Sequence, residues 1–197
     1  MKKILTLIAA AIVCMGASAQ VQFGAKVGFD LTNFWGENAV HGMKPGYQVG
    51  LLMEYKFTPT FAIAPEVVFA AQGAKGDIIN FSDYKGLKAT YNTNYINVPV
   101  MLKYYATPSF SIDFGPQVGF NVYSKYTVED FDAIDVKDET KGVDFGLGLG
   151  ATYNLTNNAF VQARYTMGMT NTYKNSFKIA GDEAKNSNIQ IAFGMKF

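Results

Sequence analysis

Asn188-Ile189-Gln190-Ile191-Ala192-Phe193-Gly194-Met195-Lys196-Phe197 reads as two interleaved sets of residues. Ile189, Ile191, Phe193, Met195 and Phe197 share one side; Asn188, Gln190, Ala192, Gly194 and Lys196 share the other. Successive strand side chains point to opposite faces, so this is a strand with one wholly apolar face and one polar or small face. A single such strand fits the edge of a sandwich as well as the wall of a barrel. The remaining chain decides between them.

The same alternation recurs seven times upstream. Val21, Phe23, Ala25, Val27, Phe29 and Leu31 oppose Gln22, Gly24, Lys26, Gly28 and Asp30, and Tyr47, Val49, Leu51, Met53, Tyr55 and Phe57 oppose Gln48, Gly50, Glu54 and Lys56. Phe61, Ile63, Pro65, Val67 and Phe69 oppose Ala62, Ala64, Glu66, Ala70 and Gln72; Ile96 to Tyr104 alternates with Tyr95 to Lys103. Phe110 to Val122, Val143 to Tyr153 and Ala159 to Met169 repeat the pattern, their other faces carrying Asp113, Asp144 and Arg164. With the last stretch this predicts eight strands.

Their connections alternate strictly in length. Thr58-Pro59-Thr60, Thr107-Pro108-Ser109 and Thr156-Asn157-Asn158 are short turns at equal spacing. Between them lie long polar stretches over 33–44, 73–93, 125–142 and 171–187. Strictly alternating lengths place all short turns at one end of the molecule and all long loops at the other, as in stacked hairpins of equal height. The predicted fold is an all-β, eight-stranded antiparallel up-and-down barrel.

The chemistry of the two faces orients that barrel. A soluble barrel turns its apolar face inward and its polar face to water. Here the apolar face carries aromatics near both strand ends: Tyr55, Phe57, Phe61, Tyr104, Phe110 and Tyr153 by the short turns, and Phe29, Tyr47, Phe69 and Phe120 toward the loops. Two aromatic belts flanking aliphatic residues match the two interfaces of a bilayer. The other face holds Lys26, Asp30, Glu54, Glu66, Lys103, Asp113, Asp144, Arg164 and Lys196 among glycines. A Lys or Arg facing lipid at the midplane costs about 2–4 kcal/mol, so these groups are expected inside, with the glycines making room. A closed barrel also satisfies every backbone group without water, as hydrocarbon requires.

Met1 to Ala19 reads as a secretory signal, with Lys2 and Lys3 before an apolar core and Ala17-Ser18-Ala19 as the cleavage site. Cys14 is not read as a lipoprotein site, because Ile12 and Val13 are bulky where small residues are wanted. Residues 20–197 then form the barrel domain. Without the signal, Lys and Arg fall from 17 to 15 against 16 acids, a net charge of −1 that gives no electrostatic argument for nucleic acid. Losing the single cysteine excludes a thiol nucleophile, a thiolate metal site and a disulfide scaffold.

Tyr95-Ile96-Asn97-Val98-Pro99-Val100-Met101-Leu102-Lys103-Tyr104, Phe114-Gly115-Pro116-Gln117-Val118-Gly119 and Asp144-Phe145-Gly146-Leu147-Gly148-Leu149-Gly150 resemble segments of a large family. It is the outer membrane protein beta-barrel domain family, also called porin family or PorT-like. The resemblance spans the mature chain and implies an eight-stranded barrel in a Gram-negative outer membrane. It implies no shared activity and no catalytic residues.

Inside the barrel, Glu54, Glu66, Lys103, Asp113 and Arg164 are the candidate polar network, either pairing to plug the lumen or guiding ions. Eight strands leave an interior just wide enough for side chains, which favours the plug. Glu129, Asp130, Asp132, Asp135, Asp138 and Glu139 make an acidic loop without the spacing or mid-loop Gly of a calcium loop, and read as solvated. His41 has no partner nucleophile and reads as a loop residue; Phe34 and Trp35 are expected at the outer interface. A bulge or unpaired amide is expected at Pro99, and the methionines are expected to face lipid. Phe193 and Phe197 are the candidate assembly signal read by the barrel-assembly machinery. No catalytic set, cofactor motif or metal cluster stands out. The expected protein is a non-enzymatic barrel with four long outward loops that touch lipopolysaccharide, a ligand or a protein. The alternatives are a narrow porin-like channel for ions or small solutes, or a PorT-like accessory in protein secretion.

Overall fold

Among the described residues, alternating side chains become ladders in nine strands: β1 (Val21–Trp35), β2 (Lys44–Lys56), β3 (Phe61–Asp77), β4 (Lys88–Thr107), β5 (Phe110–Val128), β6 (Ile134–Asp135), β7 (Val143–Asn154), β8 (Ala159–Gly168) and β9 (Lys185–Lys196). The computed structural model describes residues 21–36, 42–77, 88–128, 134–172 and 184–197. The proposed signal segment, its Ala17 and Ala19, His41, Glu129, Asp130 and Asp132 lie outside the described residues.

The sheet runs β4-β3-β2-β1-β9-β8-β7-β5, with β4 pairing β5 to close it. Every pairing is antiparallel, and β1 meets β9 in continuous register, as in Val27↔Phe193. Eight long strands therefore form a barrel with no edge between first and last. The two-residue β6 is a short addition at the long-loop end of β5.

Each short turn is fixed by its leading threonine. Thr58, Thr107 and Thr156 accept through Oγ1 the amide hydrogens of Phe61, Phe110 and Ala159, at 2.8, 3.0 and 2.9 Å. The residue repeat of the turns is thus one local device used three times, a hydroxyl replacing a backbone acceptor.

The faces separate as the alternation requires. Leu51 is 65% exposed and Phe29 80%, while Lys26, Asp30, Glu54, Glu66, Lys103, Asp113, Arg164 and Lys196 are all buried within the barrel. Outside, the rings of Tyr55, Phe57, Phe61 and Tyr104 run in sequence around the short-turn end at centroid spacings of 6.5, 6.3 and 5.3 Å. Tyr47 and Phe69 pair at 6.4 Å nearer the loops. The eight steps from Tyr47 to Tyr55 span about 27 Å of strand, or roughly 20 Å of height at a tilt near 40°. That is close to the apolar band of an outer-membrane barrel.

Several sequence expectations are corrected by the ladders. The predicted loop over 73–93 is largely sheet: β3 and β4 pair from Gly73↔Asn92 out to Asp77↔Lys88. The loop expected from Lys125 starts later, because β5 runs to Val128 and β6 pairs back onto it. Polar composition concealed these extensions, since above a bilayer a strand needs no apolar face. Of the two alternatives expected at Pro99, the bulge is not found: the register is the same at Pro65↔Val100 and Val68↔Asn97, with the two pairs between them left out of the ladder beside a residue that has no amide hydrogen. The register of β4 on β5 shifts instead between Tyr105 and Thr107 and between Asn94 and Tyr95, where Val122 is the extra residue on β5. Val122 and Tyr123 consequently both face outward, and Ser124 turns in.

Two outward assignments also fail by parity. Phe34 sits on the same side of β1 as Asp30 and Thr32, and is 1% exposed. Met101 shares its side of β4 with Asn97 and Lys103 and is fully buried, whereas Met169 and Met195 are exposed outward.

The barrel wall is uneven. β8 has 10 residues and β4 has 20, and both begin or end at the level of the short turns. At about 3.3 Å per residue the β3–β4–β5 wall runs roughly 30 Å farther along the strand direction than β8. The surplus lies at the long-loop end.

Candidate functional site in the barrel interior

Period-two geometry sends alternate residues of all eight long strands into a space only a few side chains wide. Glu66, from β3, is the centre of the first cluster. Its carboxylate accepts Lys26 Nζ at 2.7 Å and both terminal nitrogens of Arg164 at 2.9 and 2.7 Å. The two-pronged guanidinium contact fixes geometry as well as charge. Arg164 finds room because the facing strand offers glycines: a Cβ at Gly148 would lie 3.5 Å from Arg164 Cδ, and one at Gly150 3.2 Å from Arg164 Cβ.

Glu54, from β2, is the centre of the second cluster, nearer the short turns. It accepts Lys103 Nζ at 3.1 Å, Lys196 Nζ at 2.9 Å and the Tyr105 hydroxyl at 2.5 Å. Asp113 joins the clusters. It lies 4.0 Å from Lys103, accepts Ser111 Oγ at 2.7 Å and the Thr152 hydroxyl, and receives Gln162 Nε2 at 3.3 Å, while Gln162 Oε1 accepts Lys26 Nζ at 2.9 Å. Above them Gln48 donates to Asp30 at 2.8 Å. Lys26, Lys103, Arg164 and Lys196 balance Asp30, Glu54, Glu66 and Asp113, four charges of each sign. Charges in so narrow a space persist when paired and hydrogen-bonded, as all of these but Asp30 are; Asp30 is held by the Gln48 amide.

The long-loop mouth is closed differently. Phe34, Ala74, Tyr91, Val136 and Ala184 form a buried apolar cluster with Tyr126 packed against it. Phe34 meets Tyr91 edge-on at 5.8 Å. Val136 arrives from the stretch read in the sequence as a solvated acidic loop. The turn is pinned there: Thr140 Oγ1 bonds the Tyr91 hydroxyl and donates to Val136 O at 2.8 Å, and Lys137 Nζ reaches the Asn121 carbonyl and its side-chain oxygen. Asp135 and Asp138 stay exposed.

All five candidate network residues, Glu54, Glu66, Lys103, Asp113 and Arg164, therefore meet in the lumen, in two clusters rather than one ladder. The set omitted Lys26 and Lys196, the partners that complete each carboxylate, and Gln162 and Tyr105, which bridge and cap. Parity along β1, β4, β8 and β9 marks all four as inward. Phe160 was missed too; it lies under Gly194, with Lys196 Nζ 5.7 Å from its ring centroid. Phe193 and Phe197 face outward. Among the described residues no group of His, Cys, Asp and Glu gathers as a metal site.

An edgeless barrel with a lipid-compatible outside and ionised residues confined within defines a small transmembrane β-barrel. The match to the outer membrane protein beta-barrel domain covers residues 16–174, and the chain belongs to that family. The fold is similar to that of Neisserial surface protein A (NspA), with a TM-score of 0.56 at 11% identity over 89% of this chain and 97% of that one. It is also similar to Ail, the attachment invasion locus protein of Yersinia pestis, with a TM-score of 0.52 at 14% identity over 90% of this chain and 99% of that one. A second structure of Ail, in complex with the heparin analogue sucrose octasulfate, gives 0.50 at 11% identity over the same shares. No curated protein sequence matches the chain. The protein is a small outer-membrane barrel.

Proposed function

We propose that this barrel is a non-enzymatic, non-conducting outer-membrane protein whose lumen serves stability and whose outward end meets its partners. The observation that carries the reading is the double closure of the interior: Glu66 and Glu54 each bind two cations across the lumen, and Phe34, Tyr91 and Val136 pack over the long-loop mouth. An ion crossing the barrel would have to displace both layers.

Short turns of outer-membrane barrels face the periplasm and longer loops face outward. The tall β3–β4–β5 wall then stands on the cell surface. The long-loop end carries cation–ring pairs, Lys125 Nζ 5.6 Å from the Tyr123 ring on the tall wall and Lys185 Nζ 4.9 Å from the Trp35 ring at the β1–β9 side. Such pairs suit the anionic headgroup layer of lipopolysaccharide, and a polyanion such as the one seated on Ail is a suitable soluble probe. Export through the signal over 1–19, with cleavage after Ala19, and assembly through Phe193 and Phe197 belong to the same reading.

Planar-bilayer conductance of the folded protein tests it. Electrical silence, in protein whose heat-modifiable gel mobility shows a folded barrel, is the expected result. Discrete steps altered by Glu66→Gln would replace this reading with the narrow porin-like channel. A PorT-like secretion role would instead appear as a secretion defect on deletion.

A further inference from the structure

The short-turn end of the barrel is not sealed as the long-loop end is. A cleft of about 430 Å³ opens there, lined by Gln22, Lys56, Ser109, Asn154, Asn157 and Lys196 among others. That volume lies within the range of small-ligand sites. Its charge is lopsided. Lys56, Lys103 and Lys196 stand at this end, and the carboxylates that reach them are Glu54, held by both Lys103 and Lys196, and Asp113, 4.0 Å from Lys103. Among the side chains of the described residues, three cations thus face two carboxylates, and one carboxylate is spread over two lysines.

Lys56 is the surplus cation. It has no ion pair among the described residues, and its ammonium is held over the Tyr105 ring at 4.1 Å from the centroid. Tyr105 is itself fixed by its hydroxyl's bond to Glu54. The ring therefore orients Lys56 toward the cleft without neutralising it. Asn154, Asn157 and Gln22 add amide groups and Ser109 a hydroxyl around the same space. A positive point charge in a concave site ringed by neutral donors is an arrangement for an oxyanion.

We propose that this vestibule binds a small oxyanionic group, with Lys56 as the principal charge partner, Lys196 as the second, and the Asn and Ser side chains as donors. The site goes beyond the closed-lumen reading and does not depend on it, since the ligand enters and leaves by the same end. Two sources share the chemistry: free inorganic phosphate, and the carboxylate at the end of a short peptide.

The test is amide chemical-shift titration of the detergent-solubilised, isotope-labelled protein with sodium phosphate and, separately, acetyl-alanyl-alanine, at constant ionic strength. Saturable shifts confined to Gln22, Ser109 and residues 154–157 are expected. Lys56→Gln should weaken the apparent affinity about five-fold, Lys56→Arg should restore most of it, and Lys75→Gln at the opposite end should change nothing. Phosphate alone saturating assigns the site to free anions; the peptide alone assigns it to chain-terminal carboxylates. Either supports the proposal. Shifts that never saturate, or that are the same size in Lys56→Gln of native gel mobility, overturn it.

Discussion

Replacing Glu66 by Gln exchanges one oxygen for an amide nitrogen and removes the carboxylate that contacts both Lys26 and Arg164, at 2.7, 2.9 and 2.7 Å. All three residues are buried, so solvent screening does not soften the loss. Stripping the partner from a buried charge costs about 3–5 kcal/mol. Here the lower end applies, because Asp113 and Asp30 remain as more distant counter-charges. The expected destabilisation is thus about 3 kcal/mol. Arg164→Met provides the contrast. It leaves Lys26 and Glu66 as a balanced pair and forfeits two charged hydrogen bonds, for a cost of about 1–3 kcal/mol. The double variant should fall short of the sum, since the two residues share one network. Urea unfolding in lipid vesicles, followed by the fluorescence of Trp35, the sole tryptophan, and by gel mobility, measures all three. A Glu66→Gln cost below about 1 kcal/mol, or below that of Arg164→Met, would refute the view that charge balance around Glu66 holds the barrel together.

Other perturbations probe the wall. Leu51→Arg puts a cation midway between the aromatic belts on the exposed face and should cost about 2–4 kcal/mol in the same unfolding assay; a neutral result would mean that this face does not meet hydrocarbon. Gly194→Ala drives a methyl into the Phe160 ring and should cost about 1–3 kcal/mol, falling when Phe160→Leu is present; additive costs would show that the contact is not the cause. Thr107→Ala leaves the Phe110 amide without its 3.0 Å acceptor and should lower stability by about 1 kcal/mol, with Thr107→Ser close to wild type.

Strand number, closure into a barrel and the sidedness of each face were legible in the sequence because each rests on a local rule. Side chains alternate with period two whatever their neighbours, and hydrocarbon tolerates no unpaired backbone, so eight two-faced segments joined by alternating short and long links have one solution. The three threonine turns belong to this local layer. Which inward groups touch was not legible. Glu66 and Arg164 are 98 residues apart, and their meeting depends on the register across β3, β2, β1, β9 and β8 and on the space left by Gly148 and Gly150. Val136 is the clearest case. In sequence it is an apolar residue in an acidic loop; in the fold it packs against Phe34 and Tyr91, which strand height and tilt bring beneath it. The sequence by itself determined the wall, since its chemistry repeats every two residues. The tertiary structure decided what fills it, because contact across a lumen is set by register, tilt and volume, none of which a one-dimensional pattern contains.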